Sequence, residues 1–336
     1  MTINVIGLGG AGANLLVGVK DMLSETMILD GHPDVNMFHV DTSAANKSVS
    51  AQVGASFYQV KSTTIGNKDL QGSGGVRSAN VKETVISIRE FVNDNMDVIN
   101  EDSMNILISS ASGGSGSILS PLLKKQLMEL DIPAVVVLIG DSRSLSYAIN
   151  TSDTLKTFHG IAKSKDAAIS MVYLDNLDEP EEDVNMYVCE FCSILVLFYN
   201  SKNLDMDPAD IASFMDPTKR RPKINIPSGI YDIIIDAGTS SVERMVKNSE
   251  VSPIISCRRL NADEVSETPA LDDKRGSVYK ELADEFKEGA FPILMYSQTN
   301  LSMSKLDKLE ATINRLNIEV EQTDVETDID EFGLHL

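Results

Sequence analysis

The sequence predicts a doubly wound α/β fold, a parallel sheet with helices on both faces, followed by a smaller α+β region. Three observations lead there. Short, continuous apolar runs alternate with helix-length stretches through the first half of the 336 residues. A glycine-rich turn, Gly7-Leu8-Gly9-Gly10-Ala11-Gly12, follows the first of these runs. A nearly uninterrupted apolar stretch, Val184 to Tyr199 with Glu190 as its one charge, comes after that half. Strands that are apolar at every position must be covered on both faces, which indicates a parallel sheet.

In chain order, Ile3 to Ile6 reads as a strand, Ala13 to Leu23 as a helix and Met37 to Val40 as a strand. Val81 to Met96 reads as a helix, Asn105 to Ser109 as a strand, and Ile118 to Leu130 as a helix whose Pro121 falls in its first turn, where proline is tolerated. Ala134 to Ile139 and Ser170 to Leu174 are strands. These elements make up an α/β domain over residues 1–183. Val184 to Tyr199 is greasy on all sides, and a helix of that kind is buried on all sides, so it is expected to be a long central helix. Together with the loop after it, it occupies residues 184–223. A smaller α+β domain spans 224–318, with strands at Ile230 to Ile235, Ile254 to Arg258 and Ile293 to Tyr296 and helices at Val278 to Phe286 and Lys305 to Leu316. Residues 319–336 carry seven acids and no base, the composition of a tail that is extended and poorly ordered when free.

Charge and cysteine content narrow the function classes. There are 29 Lys and Arg against 50 Asp and Glu, a net charge of −21. Phosphate backbones and anionic membranes repel such a surface, and the short cluster Lys219, Arg220, Arg221 and Lys223 reads as a solvated loop, so direct nucleic-acid or membrane binding is not expected. No apolar run is long enough to span a bilayer. The N-terminus lacks the basic segment of a signal peptide, which points to a cytoplasmic protein. Three cysteines are too few for a disulfide framework. Cys189 and Cys192 form a C-x-x-C inside the apolar stretch and read as buried thiols rather than a redox or metal site.

The chemistry lies in the loops. Gly7 to Gly12 fits G-x-G-x-x-G between a strand and a helix, where glycines permit a tight turn and backbone N–H groups approach a phosphate at the positive helix end. Asp41 closes the next strand, near where a ribose-binding acid of a dinucleotide fold lies. A second glycine-rich loop, Ser112-Gly113-Gly114-Ser115-Gly116-Ser117, also follows an apolar strand and precedes a helix. Two such nests on neighbouring turns imply a polyphosphate clasped from both sides, whereas a nicotinamide cofactor needs one. A third segment, Gly72 to Arg77, offers further donors and one cation near a terminal phosphate, or is a plain loop. Asp205, Asp207 and Asp210 follow the apolar helix. Three carboxylates so close can orient a water or Mg²⁺, and Asp207 before Pro208 equally fits a helix N-cap followed by proline.

In order and spacing these motifs resemble the tubulin/FtsZ family of filament-forming GTPases, in its phage and plasmid branch of the PhuZ and TubZ kind. The resemblance runs motif by motif over about residues 1 to 215 and in outline beyond. It implies GTP and GDP as ligands with Mg²⁺ held mainly through the phosphates. Gly9, Gly10, Ala11, Gly12 and Asn14 would wrap the phosphates, Gly74, Gly75 and Arg77 would lie over the terminal one, and Gly113, Gly114, Ser115, Gly116 and Ser117 would form the signature loop. Arg143 joins the nucleotide-binding set, and Asn176 and Asn185 match the positions that read ribose and guanine. Asp207 and Asp210, with Asp205 where the family has asparagine, would polarise the water that attacks GTP on the next subunit. Ser112 and Ile118 stand at the first and last glycine positions of the signature loop, a departure that puts its geometry in question.

The resemblance further implies head-to-tail self-assembly into a filament, since a heterologous contact propagates instead of closing. It implies a role inside a bacterial host, placing phage DNA or the replication compartment, with any adaptor or cargo unnamed by the residues. The acidic tail interleaves Val320, Val325 and Ile329 with its acids and ends on Phe332, Leu334 and Leu336, so it reads as a docking peptide for a neighbouring subunit or as a solubilising tail. Two other functions stay open: an NAD-dependent oxidoreductase, which accounts for Gly7 to Gly12 and Asp41 but leaves the second loop unexplained, and a nucleotide-binding regulator without catalysis.

Overall fold

Seven parallel strands form the body of one sheet in the computed structural model, which describes residues 2–26, 35–61, 64–65, 68–69, 81–177, 180–198, 228–236, 253–258, 294–299 and 301–326. The elements are β1 (Ile3–Leu8), α1 (Gly9–Thr26), β2 (Val35–Asp41), α2 (Lys47–Gln52), β3 (Ser56–Gln59), β4 (Thr64–Ile65), β5 (Lys68–Asp69), α3 (Val81–Asp94) and β6 (Met104–Ser110). Then come α4 (Ser115–Glu129), β7 (Ala134–Gly140), α5 (Leu145–Lys165), β8 (Ala168–Asp175), α6 (Glu181–Phe198), β9 (Gly229–Asp236), β10 (Pro253–Arg258), β11 (Leu294–Thr299) and α7 (Leu301–Glu326). The sheet order is β3-β2-β1-β6-β7-β8-β9-β11-β10, parallel from β3 through β9 and antiparallel for the last two pairings. The three strands read from the C-terminal part thus continue the same sheet, while β4 and β5 pair only with each other.

Alternation along each strand divides the core into two layers. Ile3 and Val5 of β1, Ile106 and Ile108 of β6 and Val135 and Val137 of β7 face α1 and α6. Ile6 and Leu8, Leu107, Val136 and Leu138 face the other way, onto α3, α4, α5 and α7. Full burial of an aliphatic side chain contributes about 1.5–3 kcal/mol, and β1 and β7 are buried at every position. That explains why these strands carry no polar alternation.

Helix α6 buries Val184, Val188, Cys189, Phe191, Cys192, Leu195 and Val196 against α1 and the sheet, yet leaves Met186 53% exposed near its start. Gly18 of α1 makes room for it, because a Cβ there would stand 2.5 Å from the Cys189 sulfur. Burial pushes the Cys189 thiol up to about 11 and Cys192 well above the usual thiol range, so both pack as neutral side chains. Among the described residues no helix is long and apolar enough to cross a membrane.

Several features depart from the sequence expectations. Helix α5 went unread because its buried stripe mixes Ala148, Leu155, Phe158 and Ala162 with Thr151, Ser152 and Thr154. Ser144 caps it and Asp166 ends it in the left-handed region at φ 47°. The short α2, the edge strand β3 and the β4–β5 pair were also unread. Helix α4 starts at Ser115, which puts Pro121 in its interior rather than its first turn. Proline leaves the Ser117 carbonyl without its i+4 donor, and Thr154 Oγ1 of α5 stands 3.4 Å from that oxygen. Residues 319–326, expected as extended tail, continue α7, since the segment has no Gly or Pro before Gly333 to stop the helix. The helix expected at Val278 to Phe286 and residues 327–336 lie outside the described residues.

At the lower end of the sheet a buried amide ladder crosses three strands. Asn36 Nδ2 donates to Asn4 Oδ1 (3.0 Å), Asn4 Nδ2 to Asn105 Oδ1 (2.9 Å), and Asn105 Nδ2 to the Pro133 carbonyl (2.9 Å). Replacing Asn105 with Ala removes its hydrogen bonds to Asn4, Ser103 and the Pro133 carbonyl, for which we expect a loss of about 1–3 kcal/mol in urea unfolding. A loss below about 0.5 kcal/mol would show that water replaces the amide there.

Candidate functional site

The chain leaves β1 through α1 toward β2 on one side, and leaves β6 through α4 toward β7 on the other. Neighbouring strands whose connections diverge form the crevice at which open α/β sheets hold ligands. Both glycine-rich loops end at this crevice.

The glycines set how closely the backbones approach. A Cβ on Gly7 would stand 2.6 Å from the Gly12 carbonyl oxygen, and one on Gly12 would stand 3.0 Å from the Ile108 carbonyl. These two residues therefore draw α1 down onto β1 and β6. Gly9 has φ +72°, and a Cβ there would lie 2.9 Å from the Gly116 nitrogen. Gly116 is equally crowded, with Ser110 O at 2.8 Å and Leu8 O at 3.1 Å from its ideal Cβ. The first turns of α1 and α4 consequently meet backbone to backbone with no side chain between them. Two helix N-termini, each with orphan N–H groups and a partial positive charge, converge on one place.

Side chains hold the second loop from behind. The Ala111 N–H donates to Ile139 O (2.7 Å), Asn150 Nδ2 donates to Ser112 O (2.9 Å), and Thr154 Oγ1 lies 3.2 Å from Ala111 O. The buried Ser117 hydroxyl donates back to Gly114 O (3.0 Å), so it braces the turn. Ser115 Oγ shares a 2.7 Å hydrogen bond with Thr42 Oγ1 at the end of β2. Gly113 borders open space, with no atom within 4 Å of its ideal Cβ. Ala11 and Asn14 are exposed on the first turns of α1. Asp41 is 2% exposed and turned inward: its Oδ1 accepts the Thr42 N–H (2.7 Å), and its Oδ2 lies 3.7 Å from His39 Nε2. Asp41 closes the local turn, in place of the ribose contact of a dinucleotide site.

The next loops along the same edge form a charged cluster. Asp141, at the end of β7 and 3% exposed, accepts hydrogen bonds from the Arg143 N–H (2.9 Å) and Nε (3.1 and 3.0 Å) and pairs with Nη2. Burial by itself pushes this carboxyl up. The Arg143 hydrogen bonds and charge, with a further bond from the Asn176 side chain, outweigh burial and hold it below the usual carboxylate range. Asp141 raises the Arg143 guanidinium in return, and Glu181 reinforces this from 3.4 Å. That second pair ties the β7–α5 loop to the first turn of α6, one turn before the half-buried Asn185.

The structure thus gathers Gly9, Gly10, Ala11, Gly12, Asn14 and Gly113 to Ser117 around one crevice, with Arg143, Asn176 and Asn185 on the loops and helix beyond it. Gly74, Gly75, Arg77, Asp205, Asp207 and Asp210 lie outside the described residues. Sequence reasoning missed Thr42, Asp141, Asn150 and Thr154. Only Asp141 carried a signal, an acid two residues before Arg143 at the end of a strand.

No family model matches the chain. It is 31% identical over 149 residues to a phage tubulin-like protein of Pseudomonas phage 201phi2-1, and 31% identical over 111 residues to one of Pseudomonas phage phiKZ. These matches span 44% and 33% of the chain, and only 46% and 34% of the relatives. Across 99% of both chains, its fold matches a protofilament of TubZ from bacteriophage PhiKZ (TM-score 0.74, 21% identity) and the GDP form of the phage tubulin PhuZ (TM-score 0.71, 21% identity).

The contact between the loops makes different demands on neighbouring glycines. We expect Gly9→Ala to lose about 1–3 kcal/mol from left-handed strain and overlap with Gly116. Gly113→Ala, whose Cβ enters open space, should stay within about 0.5 kcal/mol of the parent. Parallel thermal denaturation checks this, and equal losses would mean that the two loops are not in contact.

Proposed function

We propose that this chain, a tubulin/FtsZ-like protein of the phage type, binds GTP at the crevice between β1 and β6 and hydrolyses it on assembling head to tail into filaments. The observation that carries this reading is the backbone contact between Gly9 and Gly116. It puts two helix N-termini side by side, and a polyphosphate is the ligand such a pair suits. The GDP named for the phage tubulin of the same fold and the filament assembly of its neighbours support it.

In this reading the N–H groups of residues 9–12 and 113–117 take the phosphates, with Gly74, Gly75 and Arg77 over the terminal one. Asn176 and Asn185 read the ribose and base. Near the crevice, Asp41 is committed to its own turn, and the remaining donors are N–H groups and hydroxyls, which suit phosphate oxygens. Mg²⁺, which neutralises those oxygens, would therefore be carried by the nucleotide. Asp207 and Asp210, with Asp205, would act on GTP bound by the next subunit. The inward Asp41 disfavours an NAD-dependent oxidoreductase. The division into 1–183, 184–223, 224–318 and 319–336 stands as part of this proposal, with the tail's first residues helical. So do placement of phage DNA or the replication compartment and a cytoplasmic location in a bacterial host.

Sedimentation with GTP, GDP and NADH, with phosphate release followed alongside, tests the proposal. Polymers should form with GTP, and hydrolysis should rise more steeply than linearly with protein concentration, because two subunits complete the site. Asp210→Ala should keep GTP binding while slowing hydrolysis about 10²-fold or more. Turnover per subunit independent of concentration would identify a self-contained site.

The acidic end, 327–336, is proposed to contact a neighbouring subunit through Ile329, Phe332, Leu334 and Leu336. A chain ending at Glu326 should bind GTP normally and assemble only at several-fold higher concentration, with high salt weakening assembly of the full chain. An unchanged critical concentration would reassign this segment to another partner.

A further inference from the structure

Resting on the nucleotide site proposed above, we infer that Asn150 of α5 is a positioning residue: its amide holds the Ser112 carbonyl so that the Gly113 N–H points into the crevice as a donor to a phosphate. The glycines alone do not supply this, since a glycine-rich loop can present either a carbonyl or an N–H at the same place.

The loop between β6 and α4 uses its N–H groups unevenly. The Ala111 N–H donates to Ile139 O (2.7 Å) and the Ser112 N–H to Ser110 Oγ (3.2 Å). The next two, those of Gly113 and Gly114, have no hydrogen-bond partner among the described residues. Successive open N–H groups are what an anion-binding concavity is made of. Where the first of them points depends on the Ser112–Gly113 peptide. Asn150 Nδ2 donates to Ser112 O (2.9 Å), which draws that carbonyl toward α5. In a planar trans peptide the C=O and the following N–H point in opposite directions. The Gly113 N–H therefore faces away from α5, and Gly113 itself borders open space.

Glycine leaves this peptide free to reverse. Among the described glycines only Gly9 and Gly54 have positive φ, so Gly113 lies outside the left-handed region. Reversal turns its φ by about half a turn, into the positive range that glycine adopts freely. The reversed peptide would present the Ser112 carbonyl oxygen in place of the N–H, and an oxygen repels phosphate. Asn150 opposes this from a fixed base. The Thr151 hydroxyl donates to Asp141 O (3.0 Å) and ties the start of α5 to the end of β7, and Asn150 O accepts the Thr154 hydroxyl (2.7 Å). A carbonyl only accepts, so the amide must present its NH₂ to Ser112. Aspartate has the same shape without the donor, and its carboxylate would push the Ser112 carbonyl away.

The test compares the full-length chain with Asn150→Asp, using GDP and a non-hydrolysable GTP analogue below the assembly threshold. Titration calorimetry reads affinity and thermal unfolding reads the fold. Magnetic resonance of isotope-labelled glycine amides, at saturating nucleotide, reads the Gly113 N–H, identified by its absence in Gly113→Ala. In the parent, one or both nucleotides should move the Gly113 amide proton downfield, as a hydrogen bond to phosphate does. In Asn150→Asp that shift should vanish and affinity for the same nucleotide should fall about tenfold or more, with the unfolding temperature close to the parent's. Asn150→Leu, which removes the donor without adding charge, should show the same two losses and serves if Asn150→Asp fails to fold. Affinity that falls while the Gly113 shift persists would make Asn150 a merely structural residue and overturns the inference. So does unchanged affinity, or a parent Gly113 amide that responds to neither nucleotide, and in all three cases the proposed function stands. A parent chain that binds neither nucleotide overturns both.

Discussion

The approach of Gly9 to Gly116 is the constraint on which the rest of the upper sheet depends. Two helices that begin on adjacent strands can bring their first turns together only where side chains are absent. Each of Gly7, Gly9, Gly12 and Gly116 is closed in by backbone atoms at the position of a Cβ. The resulting crevice is bordered by the first turns of two helices, so what it presents is set by the path of the chain. A lysine of the P-loop kind is not required for such a cradle, because two helix ends aim at one place.

That geometry holds only if the strands beneath it stay in register. The fully buried β1 and β7, flanked by α1 and α6 on one face and α3, α4, α5 and α7 on the other, fix it through apolar burial on both sides. Polar groups then act where apolar ones cannot discriminate. The Asn4, Asn36 and Asn105 ladder locks the register of three strands from below, since a slip of one residue would strand every amide. Near the crevice, the Thr154 hydroxyl of α5 lies 2.7 Å from Asn150 O in its own helix and 3.2 Å from the Ala111 carbonyl of the loop before α4.

Farther along the edge, control passes from backbone to charge. Asp141, Arg143 and Glu181 link the β7–α5 loop to α6, and Asn176 sits against the buried carboxylate.

The doubly wound class, the alternation of β1, α1, β2, α3, β6, α4, β7, β8 and α6, both glycine loops and the resemblance they carry were legible in the linear sequence. Apolar runs without alternation and glycines at fixed offsets are local signals that survive without a structure. Helix α5 was illegible because its inward stripe is built partly from Thr and Ser, and Thr151 and Thr154 find hydrogen-bond partners at Asp141 and Asn150 that only the folded chain supplies. The helical continuation through 319–326 was hidden by its charge, which says more about solvation than about backbone conformation. Asp41 has the sequence position of a ribose ligand, and only the fold shows its carboxylate committed to Thr42 and facing His39. Which glycines touch, which serine turns inward and which amide holds a loop carbonyl depend on distances between residues far apart in the chain. Those distances are set when the sheet assembles, and no spacing along the sequence encodes them.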